Sequence, residues 1–229
     1  MQKDKKVIIF GNGEFGSLAR FYFDKDSSYD VVAFTADDEF VKEDSFEGLP
    51  LLPFSKVGKA YPSASYEMHV AVSYKKLNKV REEKYLAAKA AGYTLASYIS
   101  TKSVYWDDLS VGDNCFILEN QTIQPTVKIG NNVMIWSGNH LGHGCEIMDH
   151  AYMASHICVS GHVKIGSRTF IGVNAAFKDF IHIGEDSFIA MSAIVTKDVT
   201  PGSVVLGPQG TVFEPDSRQA ASIKKKYFG

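Results

Sequence analysis

Residues 141–183 read LGHGCEIMDHAYMASHICVSGHVKIGSRTFIGVNAAFKDFIHI. Every sixth position is apolar: Leu141, Ile147, Met153, Val159, Ile165, Ile171, Phe177 and Ile183. The register runs back through Ile135, Ile129, Ile123, Ile117 and Val111 to Tyr105, and forward through Ile189 to Val195, without an insertion. In a chain that is 45% apolar, the chance of such a run in one phase is about 3 in a million. Neither a helical period of 3.6 nor a strand period of 2 sustains it. A period of six predicts a parallel β-helix with one inward residue per short flat face. Three faces close a coil of eighteen residues, and the run from Tyr105 to Val199 holds about five coils. Four residues after each inward position stands a second, mostly small residue, among them Cys115, Val127, Cys145, Ala151, Ala175 and Ala193. These suit tight corners, so Cys115 and Cys145 read as core thiols. Glycine directly follows the inward residue at Gly112, Gly130, Gly142, Gly166, Gly172 and Gly184, where turns with unusual φ are expected.

The first hundred residues have a different grammar. Lys6–Phe10 (KVIIF) reads as a buried strand, GNGEFG follows with Gly11, Gly13 and Gly16, and Glu14–Phe23 reads as a helix. DVVAFT from Asp30 forms a second strand that ends before Asp37 and Asp38. Strand, glycine turn, helix, strand and acidic residue make a mononucleotide-binding βαβ arrangement. A structural turn with no ligand is the plainer reading of the same glycines. Met68–Ser73 reads as a strand, Val80–Ala91 as a helix, and Tyr93–Ser97 as a strand leading into the first coil. The βαβ units are too few for a full dinucleotide site, so a nucleotide half-site fits better. The expected division is an α/β Rossmann-like domain over 1–100, an all-β parallel β-helix over 101–215 and a tail over 216–229.

Composition narrows the class. A net charge of −2 over 229 residues gives no footing for nucleic acid or an anionic membrane, and no apolar run approaches the about 20 residues of a membrane span. The short apolar strand after MQKDKK is no signal h-region, and three cysteines without CxxC spacing suggest neither a disulfide framework nor a zinc ribbon. The expectation is a cytoplasmic protein.

GNGEFG, SGNHLGHGCEI, VKIGSRTFIGVNA and the closing IVTKDVTPGSVVLG together resemble the hexapeptide-repeat sugar acyltransferases grouped with bacterial sialic acid O-acetyltransferase and bacillosamine N-acetyltransferase. That resemblance implies a left-handed β-helix, a homotrimer with active sites between neighbouring prisms, a nucleotide sugar on the first domain and acetyl-CoA along the prism. It implies acetyl transfer to a nucleotide-linked amino sugar in glycan or cell-surface polysaccharide precursor synthesis, with a hydroxyl acceptor as the alternative. A non-catalytic nucleotide-sugar scaffold is a further alternative.

Acetyl transfer needs a general base at the nucleophile, and histidine suits it because its pKa lies near neutrality. Six histidines lie in the prism (His140, His143, His150, His156, His162 and His182), none at an inward position. Positional likeness to the family makes His143 the base and His140 a substrate contact or competing base. The family's acidic residue after the base is replaced by Gly144, and stacking by eighteen residues sets His162 one coil above it, where it is a candidate to support His143. The same likeness assigns Tyr152, Gly161, Val173 and Met191 to acetyl-CoA, the first and last with altered side chains. It assigns Gly11, Gly13, Gly16, Asp37 and Asp38 to the nucleotide sugar, with phosphate at the helix N-terminus. No metal is expected. A zinc enzyme of the γ-carbonic anhydrase type shares the prism and binds zinc by three histidines, yet no two histidines here stand eighteen residues apart and that family's five-residue ligand spacing is absent.

Overall fold

The computed structural model describes residues 2–228. Strand β1 (Lys5–Phe10) enters the core at Val7, and α1 (Glu14–Asp26) follows the glycine turn. Strand β2 (Tyr29–Ala36) returns parallel to β1. The pair β3 (Ser45–Phe46) and β4 (Leu49–Pro53) extends that edge, and α2 (Phe54–Ala60) leads to β5 (Glu67–Val70) on the other side of β1. Helix α3 (Lys79–Ala90) closes the unit. The strand pleat sorts β1 to two cores. Val7 and Ile9 pack with Ala19 and Phe23 of α1, whereas Ile8 and Phe10 pack with Tyr85 and Ala88 of α3.

The repeats fold into a left-handed parallel β-helix of three flat faces. Face I runs from Ser110–Val111 to His182–Ile183, face II from Tyr98–Ile99 to Val204–Val205, and face III from Thr122–Ile123 to Ile194–Val195. Neighbouring rungs pair in parallel eighteen residues apart, as Met134↔Tyr152 and His140↔Cys158 show. The sixth-position residues form one apolar column, with Cys115 and Cys145 fully buried beside them.

Three features differ from the sequence reading. The prism starts at Tyr98–Ile99, which pairs with Phe116–Ile117, so it takes up the last residues assigned to the first domain, while Tyr105 at the open end is 43% exposed. Tyr93–Ser97 forms no strand of its own and contributes only a parallel bridge from Leu95 to Met68. The unusual φ lies two residues beyond the repeat glycines, on Asn114, Asn132, Gly144, Arg168, Asn174 and Asp186. Gly142 is there because a Cβ would stand 2.6 Å from the Ser160 carbonyl carbon of the next coil. Close coil stacking, rather than turn conformation, selects it.

The first domain covers face II. Tyr98, Phe116, Met134 and Tyr152 point outward from the prism into the α1-side core. Helix α3 lies along the corner between faces I and II, where Arg81 Nη2 donates to the carbonyl oxygens of His150 (2.7 Å) and Ala151 (3.0 Å). Arg168 in turn bonds Asp186 (Nε–Oδ1 2.9 Å) and meets Glu82 of α3. His150 is therefore a buried histidine: Asn132 contacts its Nδ1 at 2.9 Å and Glu82 its Nε2 at 3.5 Å. It is not inward, yet the docked domain buries it, which the repeat phase alone could not reveal.

Candidate functional site

The three glycines after β1 are not equivalent. Gly11 sits at φ +138°, and a Cβ there would lie 2.5 Å from the Ala71 carbonyl oxygen. A Cβ on Gly16 would lie 2.1 Å from the Gly11 carbonyl oxygen. Both are required by the turn itself. Gly13, the N-cap of α1, has open space where its Cβ would be and extended backbone. Only at Gly13 does the structure leave room that a ligand can use.

That room belongs to a cleft of about 330 Å³ lined by Gly11, Asn12, Gly13, Asp37, Ser73, Lys75 and Lys84. The unsatisfied N–H groups of α1 open at Gly13, suited to phosphate, and the lysines Lys75 and Lys84 share the lining with the carboxylates Glu14 and Asp37. Lys84 Nζ is 2.9 Å from Asp37 Oδ1. Asp38 is engaged elsewhere: its carboxylate accepts hydrogen bonds from the Ser55 amide (3.2 Å) and hydroxyl, fixing the start of α2. Those contacts pull its carboxyl below the usual range, and it does not line the cleft. Asp38 thus holds the start of α2 outside the cleft, while Asp37 lines it. The sequence reading missed Lys75 and Lys84. One lies on the loop after β5 and the other on α3, and only the fold brings them to the glycine turn.

His143 lies at the corner between faces III and I. Corner residues stack by coil, so Gly161 stands directly above His143 and Asp179 above Gly161. Gly161 clears space for the His143 ring, since a Cβ would come within 2.7 Å of Cε1. Its amide donates to Asp179 Oδ1 at 3.0 Å. His143 is solvent exposed, its amide donates to Gln124 Oε1 at 2.8 Å, and its Nδ1 lies 3.2 Å from the same oxygen. Gln124 was missed from sequence because the contact is diagonal, between one coil and the next.

His162 meets the His143 ring edge-on with centroids 4.9 Å apart and stacks on Phe180 at 5.0 Å. It occupies the space above Gly144, where a Cβ would lie 2.5 Å from its Nδ1. The His162 amide donates to the His143 carbonyl oxygen at 2.9 Å, but no side-chain hydrogen bond joins the two imidazoles among the described residues, so the His162 ring is a wall of the site and Gln124 holds the polar contact. The same packing recurs at the corner between faces II and III, where His156 covers Gly138. The Gly–His pairing is therefore a habit of the coil.

The remaining candidates separate by face. His140 points outward on face III, between Thr122 and Cys158. Val173 and Met191 are exposed on the corner between faces II and III, at the far edge of face III from His143. Tyr152 is only 4% exposed on face II, where its hydroxyl accepts from Trp136 Nε1 and its ring stacks on Phe170 at 5.0 Å. It walls a groove of about 600 Å³ between α1 and the prism, with Phe15, Leu18, Phe21, Tyr74 and Trp136. This groove adjoins the glycine cleft through Glu14 and Phe15.

In cross-section the prism is a triangle. The first domain covers face II, and His143 sits at the vertex opposite. One chain therefore holds its glycine cleft and His143 on opposite sides. Among the described residues, no group of three or more His, Cys, Asp or Glu is placed to hold a metal, and no helix is long and apolar enough to cross a membrane.

The repeats define the class. Residues 126–156 match the bacterial transferase hexapeptide (six repeats) model, and residues 162–197 match the hexapeptide repeat of succinyl-transferase. Among solved structures, a perosamine N-acetyltransferase variant from Caulobacter crescentus, in complex with CoA and GDP-perosamine, superposes with a TM-score of 0.77 at 18% identity. The match covers 89% of this chain and 97% of that one. The acetyltransferase domain of PglB from Neisseria gonorrhoeae, in complex with acetyl coenzyme A, matches equally well at 19% identity, over 88% and 95% of the two chains. At these identities the likeness establishes the two-part fold. Among curated proteins, an acyl-[acyl-carrier-protein]–UDP-N-acetylglucosamine O-acyltransferase from Sinorhizobium fredii is 27% identical over 111 residues, 45% of this chain. The match spans only 41% of that relative's own length.

Proposed function

We propose that the protein is an acetyl-CoA-dependent acetyltransferase acting on a nucleotide-linked amino sugar, in precursor synthesis for glycans or cell-surface polysaccharide. The observation that carries this reading is a phosphate-type cleft at Gly13, Lys75 and Lys84 joined to a hexapeptide prism with an exposed histidine, His143, beneath the side-chain-free Gly161. The two whole-length structural matches, both acetyltransferases with CoA or acetyl-CoA bound, support it. His143 takes the proton from the acceptor amine as its nitrogen attacks the thioester carbonyl. The C–S bond then breaks, and the proton passes from His143 to the departing CoA thiolate. His162 walls the base, and His140 on face III contacts the acceptor.

Since cleft and base lie on opposite sides of one chain, the working site joins the His143–Gly161 corner of one copy to the first domain of a neighbour. Three copies around an axis close such a contact. Gly161 from one chain, with Val173 and Met191 from the next, then flank acetyl-CoA. Face III supports this, because its outward residues Thr122, His140, Cys158, Ala176 and Ile194 include no carboxylate, lysine or arginine, with Ile194 72% exposed. The three free cysteines fit a cytoplasmic setting. A hydroxyl acceptor is the second reading, favoured by the O-acyltransferase relatives.

CoA release measured with a panel of nucleoside-diphosphate amino sugars and their hydroxyl counterparts tests the proposal. His143→Asn should lower kcat by about 10²–10⁴ with oligomer and CoA binding intact. No release above hydrolysis with any acceptor, or full activity in His143→Asn, refutes it.

A further inference from the structure

The polar contact beneath His143 determines which of its nitrogens is free. The His143 backbone N–H can only donate, and it points at Gln124 from 2.8 Å. The amide group of Gln124 must therefore present its oxygen there, because its NH₂ group would set donor against donor. The His143 Nδ1 lies 3.2 Å from that same oxygen. A carbonyl oxygen accepts, so Nδ1 carries the proton and Nε2 keeps its lone pair. Gly161 leaves the ring space above, and His162 blocks one side. The titratable groups around the ring are His162, edge-on at 4.9 Å, and Asp179, whose Oδ1 is taken by the Gly161 amide at 3.0 Å. Neither bonds a ring nitrogen, and Gly144 brings no side chain.

We propose that Gln124 is a positioning residue that fixes His143 in the Nδ1–H tautomer and leaves Nε2 as the proton acceptor, a neutral substitute for an acidic partner. An acidic partner would both orient the imidazole and stabilise its charged form. An amide oxygen orients it through a dipole and adds little charge stabilisation. The kinetic consequences rest on the acetyltransferase reading, but the tautomer does not.

Long-range ¹H–¹⁵N correlation spectra of the full chain with labelled histidine, recorded at alkaline pH, read the tautomer directly, with His143→Asn assigning the signal. The wild type should show a protonated Nδ1 and a bare Nε2. Gln124→Met, similar in reach but without an acceptor, should lose that preference and lower kcat about 10–100-fold, with acceptor and CoA KM little changed. Gln124→Glu should keep the tautomer, restore kcat to within a few-fold and move the acidic limb of the pH–rate profile to higher pH. A wild-type spectrum dominated by Nε2–H overturns the proposal, as does Gln124→Met with unchanged tautomer and rate. If Gln124→Met fails to fold, the wild-type spectrum and Gln124→Glu still decide. A correct tautomer in a protein without transferase activity would refute the functional reading and leave this contact standing.

Discussion

Gly13 and Gly11 stand two residues apart in one turn and respond to opposite pressures. Gly11 cannot accept a side chain without moving the Ala71 carbonyl, 2.5 Å from its would-be Cβ, and its φ of +138° disfavours any L residue. Gly11→Ala should therefore lower stability by about 1–3 kcal/mol, measured as a shift in urea midpoint. Gly13→Val meets no protein atom within 4 Å of the added Cβ. It should lower the urea midpoint less than Gly11→Ala does, the cost being that of a poorer N-cap, raise acceptor KM and spare CoA affinity. Equal loss of both affinities would make the turn structural only. The glycine turn and Asp37 were legible as a pattern because strand, turn and helix are contiguous. Spacing could not separate Asp37 from Asp38; the choice depends on Ser55, which α2 brings to Asp38.

At the scale of elements, the six-residue period specified the faces because each inward residue is dictated by its own coil. It could not show what the outer surface of each face meets. Tyr152 and His150 occupy outward or corner positions and are buried only because α1 and α3 dock there. That docking has a pH signature. Burial is the first cause pushing the His150 imidazole below its usual range, and it pushes His69 down to about 4. Both are neutral in the folded chain, whereas the unfolded chain gains these protons near about pH 6.5. Stability is fully present above that pH and falls on acidification, the His69 share ceasing to grow near pH 4. The loss should be on the order of 3 kcal/mol at most for His69. Urea midpoints measured across this window should slope downward towards acid, and His69→Gln should flatten the slope. A midpoint independent of pH between these limits would contradict the burial account.

In the proposed enzyme neither half of the chain makes a site alone. The first domain covers face II and His143 occupies the opposite vertex, so the proposed site needs a neighbouring copy. Light scattering should give three copies per particle at micromolar concentration; a monomer would count heavily against a shared site. The most direct measurement mixes two impaired variants. His143→Asn has an intact glycine cleft and Gly13→Val has an intact base, so a site shared between chains can draw its good half from each. Co-expressed in equal amounts and assayed at acceptor concentrations well below the KM of Gly13→Val, the pair should recover about one quarter of wild-type activity, the random share of sites with both halves intact. Activity no greater than the average of the two variants alone would show that base and cleft serve the same chain, and would contradict the shared site.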